Sequence, residues 1–341
     1  MREGDGKVGR TVVVTGGTQG LGYEAARSIC AAGDWHVVVA GRNGEKVAGA
    51  VGRLRAESGN PRVEGMVLDL ASLRSVRSFA EAFAARGDLP PLRALVCNAG
   101  LQVVSGTTYT EDGFETTFGV NHLGHYLLVN LLVGMTDPPA RVIFVSSGTH
   151  DPKRRTGMPA PRYPGAKALA RPERNPDPEG GGEGLVGRRR YTTSKLCNVY
   201  TAYELARRLS GSGITSNAFD PGYMPGTGLA RDWGPVARFV SDRVLPLLVP
   251  VFGRFGMNVH TVEESGGALA RLATDPELEG VSGRYFEGGK EARSLELSYD
   301  RGNAAELWET SAELVGLGAG ETVLPTGGMG HAPDEALKEP L

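Results

Sequence analysis

Cysteine is scarce in this chain. The three present, Cys30, Cys97 and Cys197, are odd in number and far apart, which excludes a disulfide framework and a cysteine-built zinc site. Long apolar runs are absent too. Nothing approaches the roughly 18 consecutive apolar residues of a membrane span, and the opening MREGDGKVGR lacks the apolar stretch of a secretion signal. A soluble, cytoplasmic protein is therefore expected. Neither sign of charge dominates: 37 Lys and Arg face 39 Asp and Glu, a net of −2, so there is no basic footprint for nucleic acid. The partner class that remains is a small molecule, and the composition sets no oligomeric state. Internal repeats are also missing.

What is present is a regular alternation. Short apolar, β-branched runs occur at Thr11 to Thr15, His36 to Ala40, Arg62 to Leu68, Leu92 to Cys97, Arg141 to Ser146 and Ile214 to Phe219. Stretches with helical periodicity separate them, so βαβ units and a parallel sheet follow. The unbroken apolar character of the first, second and fifth runs suits strands covered by helices on both faces. With 341 residues, 40% of them hydrophobic, one large α/β domain is the expectation, spanning residues 1–317. Residues 151–190, rich in Pro, Gly and charge, read as a long irregular insertion after the fifth strand. The stretch 318–341 has no periodicity and reads as a disordered tail.

Directly after the first strand stands TGGTQGLG, Thr15 to Gly22, followed by a helical run. Gly16, Gly20 and Gly22 fall where a strand must turn tightly into a helix whose first N–H groups face a pyrophosphate, and a Cβ would block the turn or the approach. Thr18, Gln19 and Leu21 share that loop. The position marks a doubly wound Rossmann domain that binds a dinucleotide. About 20 residues on, where an acidic residue would hold a free ribose 2′-hydroxyl, the chain has Gly41-Arg42-Asn43. No carboxylate repels a 2′-phosphate there, and the Arg42 guanidinium is able to pair with one, so NADP(H) is the expected cofactor.

RYTTSK places Tyr191 and Lys195 one helical turn apart, on one face. A phenol ordinarily titrates near pH 10, so a nearby ammonium and a positive nicotinamide are expected to lower its pKa toward working pH. In the order TGxxxGxG, NAG at Asn98 to Gly100, GVNHLGHYLL, VSSGTH, YTTSK and FDPGYMPGT, these segments resemble the short-chain dehydrogenase/reductase family from about Thr11 to Arg284. The resemblance implies Tyr191 as acid, Lys195 as its partner, Ser147 as second hydroxyl and Asn121 as the residue ordering a proton-relay water. It further implies Asp69 and Leu70 at the adenine, Asn98, Ala99 and Gly100 along the cofactor, Tyr191 and Lys195 at its ribose, and Pro221 and Gly222 at its nicotinamide end.

VCNAG, TYTEDGFETTFGVNHLGHYLL, SKLCNV and AELWETSAELVGL look most like the light-dependent protochlorophyllide oxidoreductase and retinol dehydrogenase branch. Tyr223 stands where the photoenzymes carry a cysteine, and Ser147 where they carry threonine, both of which favour a dark reduction. The aromatic and Pro-rich stretch 226–258 is expected to cover a bulky hydrophobic substrate, with a subunit interface or a peripheral membrane contact as alternative uses. Cys197 reads as a small buried hydrophobe rather than a substrate-side thiol. His122 and His125 have a metal-like spacing but no ligand companions, so no metal is expected. The resulting expectation is an NADPH-dependent reductase of a carbonyl or conjugated double bond in a bulky hydrophobic substrate. Its alternatives are a protochlorophyllide photoreductase and a non-catalytic NADP-binding sensor.

Overall fold

The computed structural model describes residues 9–154, 156–174, 180–224 and 258–325. All six expected strands form: β1 (Arg10–Thr15), β2 (Trp35–Gly41), β3 (Val63–Val67), β4 (Leu92–Cys97), β5 (Thr136–Val145) and β6 (Ile214–Asp220). Two short strands, β7 (Tyr285–Glu287) and β8 (Lys290–Ala292), complete a sheet in the order β3-β2-β1-β4-β5-β6-β7-β8. The sheet is parallel through β7, as expected, and the short edge strand β8 runs antiparallel. Three-residue strands at the edge carry too little periodicity to be read from sequence.

Alternation along β1 shows why the sheet needs cover on both sides. Val12 and Val14 enter one core together with Ala25, Ile29 and Leu269, whereas Val13 enters the other with Leu95, Leu127 and Tyr200. The helices α1 (Gly20–Ala31), α2 (Gly44–Ser58), α3 (Leu73–Ala84), α4 (Thr116–Phe118), α5 (Gly124–Leu132), α6 (Ala166–Ala170), α7 (Glu183–Arg208), α8 (Val262–Thr274) and α9 (Arg301–Leu314) supply that cover. Strand order reverses beside β1, between β2 and β4, and this opens a crevice at the carboxyl ends of the strands.

The described part of the insertion, residues 151–154, 156–174 and 180–190, is more ordered than its composition implies. It contains α6, and α7 starts at Glu183, eight residues before Tyr191. Glu306 of α9 anchors it by accepting from the Tyr163 hydroxyl and from the Ala166 N–H. Such tertiary partners are invisible to a reading of Pro and Gly content. The start of the expected tail is likewise packed: Leu324 is buried, and Thr322 donates to Asn130 at 3.0 Å. Residues 326–341, and the expected cover 226–258 up to residue 257, lie outside the described residues. No helix among the described residues is long and apolar enough to cross a membrane.

Candidate active site

Three side chains meet at the carboxyl end of β5. Tyr191 of α7 is 7% exposed, and the hydroxyl of Ser147, two residues past the strand, acts on its phenol. Lys195, one turn further along α7, places Nζ 5.6 Å from the centroid of the Tyr191 ring and donates to the Val145 carbonyl at 3.1 Å. The neighbouring Ser146 turns elsewhere, and its hydroxyl donates to the Lys195 carbonyl at 2.8 Å, fastening α7 to β5. Of the two serines in VSSG, geometry therefore leaves Ser147 for the site.

Asn121 arrives by a less common route. It lies in a π-helical turn, Gly119–Leu123, between α4 and α5, a local widening that often marks functional positions. Its side chain accepts from the Leu101 N–H at 2.8 Å and donates to the Leu101 carbonyl at 2.9 Å and the Ser194 hydroxyl at 2.9 Å. Ser194 in turn donates to the Tyr191 carbonyl at 2.8 Å, so Asn121 braces the helix that carries Tyr191. A Cβ on Gly100 would stand 3.3 Å from Asn121 Oδ1 and 3.4 Å from Lys195 Nζ, which puts all three residues side by side.

The electrostatics correct one expectation. Burial, followed by the negative charge of Asp220, pushes the Tyr191 phenol up from its ordinary value, and the nearby Ser147 hydroxyl only partly offsets this. Lys195, also buried, is lowered to about 8 by desolvation, with Asp220 acting in the opposite direction. The expected lowering of Tyr191 by Lys195 is thus absent from the protein itself. Loss of hydration outweighs the neighbouring cation.

Beside these groups lies a cradle that fits a dinucleotide. Gly16 and Gly20 take φ of 66° and 56°, a left-handed conformation that glycine adopts without strain. A Cβ on Gly22 would stand 2.4 Å from Asn98 Nδ2 and 2.6 Å from the Gly16 carbonyl. Asn98 fixes the loop by donating through Nδ2 to the Thr15 carbonyl at 2.8 Å. At the start of α1, Gln19 makes no side-chain cap and the first turn holds no acid, whereas Asn43, Ser72 and Asp300 cap α2, α3 and α9. The first N–H groups of α1 therefore remain available to an anion. Thr18 and Leu21 lie in this loop, and exposed Arg42 leaves the end of β2 next to it.

Asp69 accepts from the Ala71 N–H at 3.0 Å, and Leu70 beside it is buried. The Pro221 carbonyl accepts from Ser265 at 2.7 Å, and Gly222 turns with φ of 76°. Cys197 is fully buried inside α7, and burial pushes its thiol up, as expected of a packing residue. The ring nitrogens of His122 contact Ser311 and Thr201, and those of His125 contact Thr15 and Asn121. The sequence reading missed His125, Ser194 and Asp220 as members of the site. Ser194 had a usable signal, since its spacing of three from Tyr191 puts it on the same helix face, but its contact with Asn121 on another element had none.

Comparison with known proteins agrees with this architecture. The family described as short chain dehydrogenase matches residues 10–169. A polyprenol dehydrogenase of Danio rerio is 36% identical over 323 residues, which is 91% of this chain and 87% of that one. Protochlorophyllide reductase A of Oryza sativa subsp. japonica is 37% identical over 324 residues, 90% of this chain and 80% of that one. Among solved structures, an uncharacterized protein from Mycobacterium Paratuberculosis matches with a TM-score of 0.62 and 27% identity, over 90% of this chain and 93% of that one. A blue fluorescent protein from a metagenomic library, in complex with NADPH, shares the fold with a TM-score of 0.58 at 22% identity, over 82% of this chain and 98% of that one. Sheet order, glycine cradle and these relatives converge: the chain belongs to the short-chain dehydrogenase/reductase family of oxidoreductases.

Proposed function

We propose that this protein is an NADPH-dependent reductase of a carbonyl or conjugated double bond in a bulky hydrophobic substrate, with Tyr191 as proton donor. The observation that carries the proposal is the convergence of Tyr191, Lys195 and Ser147 at the carboxyl end of β5, with Lys195 Nζ 5.6 Å from the centroid of the buried Tyr191 ring. When bound in the cradle of Gly16, Gly20 and Gly22, with Arg42 at a 2′-phosphate, NADPH supplies a hydride. Thr18, Gln19, Leu21, Asp69, Leu70, Asn98, Ala99, Gly100, Pro221 and Gly222 complete the cofactor's surroundings in this reading.

The residues of the chain handle the proton. Ser147 donates a hydrogen bond to the substrate oxygen and orients it; Tyr191 releases its proton to that oxygen as the carbonyl becomes a hydroxyl. A phenol pushed up by burial and by Asp220 stays protonated at neutral pH, the form a reduction needs. Lys195 holds the ribose and returns a proton toward Tyr191, while Asn121 braces α7 and lends its carbonyl to the relay. The residues form a single domain, and the chemistry sits at the crevice where the strand order reverses.

The bulky apolar substrate is supported by the similarity to a protein named for polyprenol. The test incubates purified protein, NADPH and cell extract in darkness, then identifies the metabolite consumed; the same incubation with Tyr191→Phe should leave that metabolite intact. The similarity to a protochlorophyllide reductase favours a second reading, photoreduction. Turnover that depends strictly on illumination, measured with protochlorophyllide and NADPH, would replace the first reading by the second. NADPH binding with no metabolite consumed in dark or light would instead indicate a sensor.

A further inference from the structure

The turn 221–223 leaves the carboxyl end of β6, and its backbone groups are held by three separate residues. Asp220, the last residue of the strand, accepts from the Gly222 N–H through Oδ1 at 2.9 Å. Ser265 of α8 donates to the Pro221 carbonyl at 2.7 Å. The third hold is Asn258, 38 residues from Asp220 in the chain. Its carbonyl accepts from the Tyr223 N–H at 2.8 Å, and the Tyr223 carbonyl accepts from the His260 N–H at 3.1 Å, which makes a short parallel bridge.

The side chain of Asn258 grips the same turn. Nδ2 donates to Asp220 Oδ2 at 3.0 Å. A carboxylate only accepts, so this contact sets the amide orientation, and Oδ1 accepts from Nε2–H of His260 at 2.9 Å. Gly222 is pressed against Asn258: it takes φ of 76°, and a Cβ there would stand 2.5 Å from Asn258 Oδ1 and 2.8 Å from the Asn258 carbonyl oxygen. Only glycine fits without strain. Asp220 also abuts the active site, since a Cβ on Gly148, next to Ser147, would stand 2.8 Å from its Oδ2. Asn258 and Asp220 therefore tie the turn to the chain that carries Ser147.

Resting on the proposed placement of Pro221 and Gly222 at the nicotinamide end of NADPH, we propose that Asn258 is a positioning residue of the cofactor site: it clasps the turn 221–223 and so fixes where the nicotinamide half lies relative to Ser147. It touches no reacting atom. The adenosine half is assigned to the glycine cradle after β1 and to Arg42 after β2, and β4 and β5 separate β1 from β6 in the sheet. The clasp thus acts on one end of the cofactor. A turn whose shape is already fixed by protein hydrogen bonds loses little conformational freedom when a ligand docks on it, so more of the contact energy appears as affinity.

The test compares two ligands that differ at the nicotinamide. NADPH and 2′-phospho-ADP-ribose, which lacks the ring, are titrated by calorimetry into wild-type protein and Asn258→Ala. The variant should bind NADPH about tenfold more weakly and 2′-phospho-ADP-ribose within about twofold of wild type. The fluorescence of bound NADPH, which reports the surroundings of the reduced ring, should shift toward that of the free cofactor. Equal weakening of both ligands, the mark of a merely structural contact, overturns the inference, and so does no change in either. Should Asn258→Ala lose its cooperative thermal transition, Ser265→Ala releases the turn at the Pro221 carbonyl instead, and absence of the same split there also overturns it. Wild-type protein that binds neither ligand would sink the NADPH reading and this inference with it, whereas wild-type binding with no split in the variants sinks the inference alone.

Discussion

Thr15 Oγ1 stands 2.9 Å from Nε2 of His125, and this contact joins the end of β1 to a buried imidazole. The hydroxyl already accepts from the N–H groups of Asn98 and Ala99, at 2.9 and 3.0 Å. Both of its lone pairs are used. The Asn121 carbonyl, 3.2 Å from Nδ1, can only accept, so Nδ1 carries the proton of the neutral ring. Nε2 is left to accept from the Thr15 hydroxyl, whose proton the Val96 carbonyl at 3.2 Å also accepts. The end of β1, which begins the nucleotide cradle, is tied in this way to the π-helical turn beside Lys195.

A pH dependence follows from that histidine. Burial lowers His125 to about 4 and His122 to about 3, from ordinary values of 6.5. The unfolded chain binds these protons first, so the stabilisation is present above pH 6.5 and is lost as pH falls through 4 and then 3. Denaturant unfolding at pH 7, 5.5 and 4.5 should show falling stability. His125→Asn should flatten the slope by about one proton, about 1.4 kcal/mol per pH unit; an unchanged slope would remove His125 from this account.

Removing the Tyr191 hydroxyl tests the acid. Tyr191→Phe should bind NADPH as the wild type does while turnover falls by about 10²–10⁴-fold, the contribution of a positioned acid. Stopped-flow turnover with the identified substrate, alongside a fluorescence titration of NADPH, separates the two effects. Near-normal turnover would reassign the proton donor.

Cofactor preference is expected to reside in Arg42. Wild-type protein should bind NADPH more tightly than NADH, and Arg42→Ala should lose most of the difference. A charge-assisted pair contributes about 1.5–3 kcal/mol, about ten- to a hundredfold in affinity. Fluorescence titration of both nucleotides measures it, and equal wild-type affinities would sink the claim.

Two identical substitutions should have opposite signs. Gly22→Ala drives a methyl to 2.4 Å from Asn98 Nδ2, so thermal stability should drop by about 1–3 kcal/mol and NADPH affinity should fall with it. Gly52, on the exposed side of α2, has no neighbour within 4 Å of an added Cβ. Gly52→Ala should stabilise by about 0.5–1 kcal/mol and leave NADPH binding unchanged. Calorimetry of both variants makes the comparison.

Local chain chemistry is enough for the six main strands, the glycine turn after β1, and the same-face placement of Tyr191 and Lys195. Each follows from period or turn preference, and β4 appears with the very boundaries its apolar run implies. Long-range packing settles the rest. Ser147 rather than Ser146 is left for the site because Ser146 is spent on the Lys195 carbonyl. The insertion is anchored around α6 because Glu306, some 140 residues away in the chain, receives Tyr163 and Ala166. The phenol of Tyr191 rises instead of falling because burial and the charge of Asp220 act on it at the same point. Desolvation and through-space charge depend on distances between remote residues, and a linear pattern holds no record of those distances.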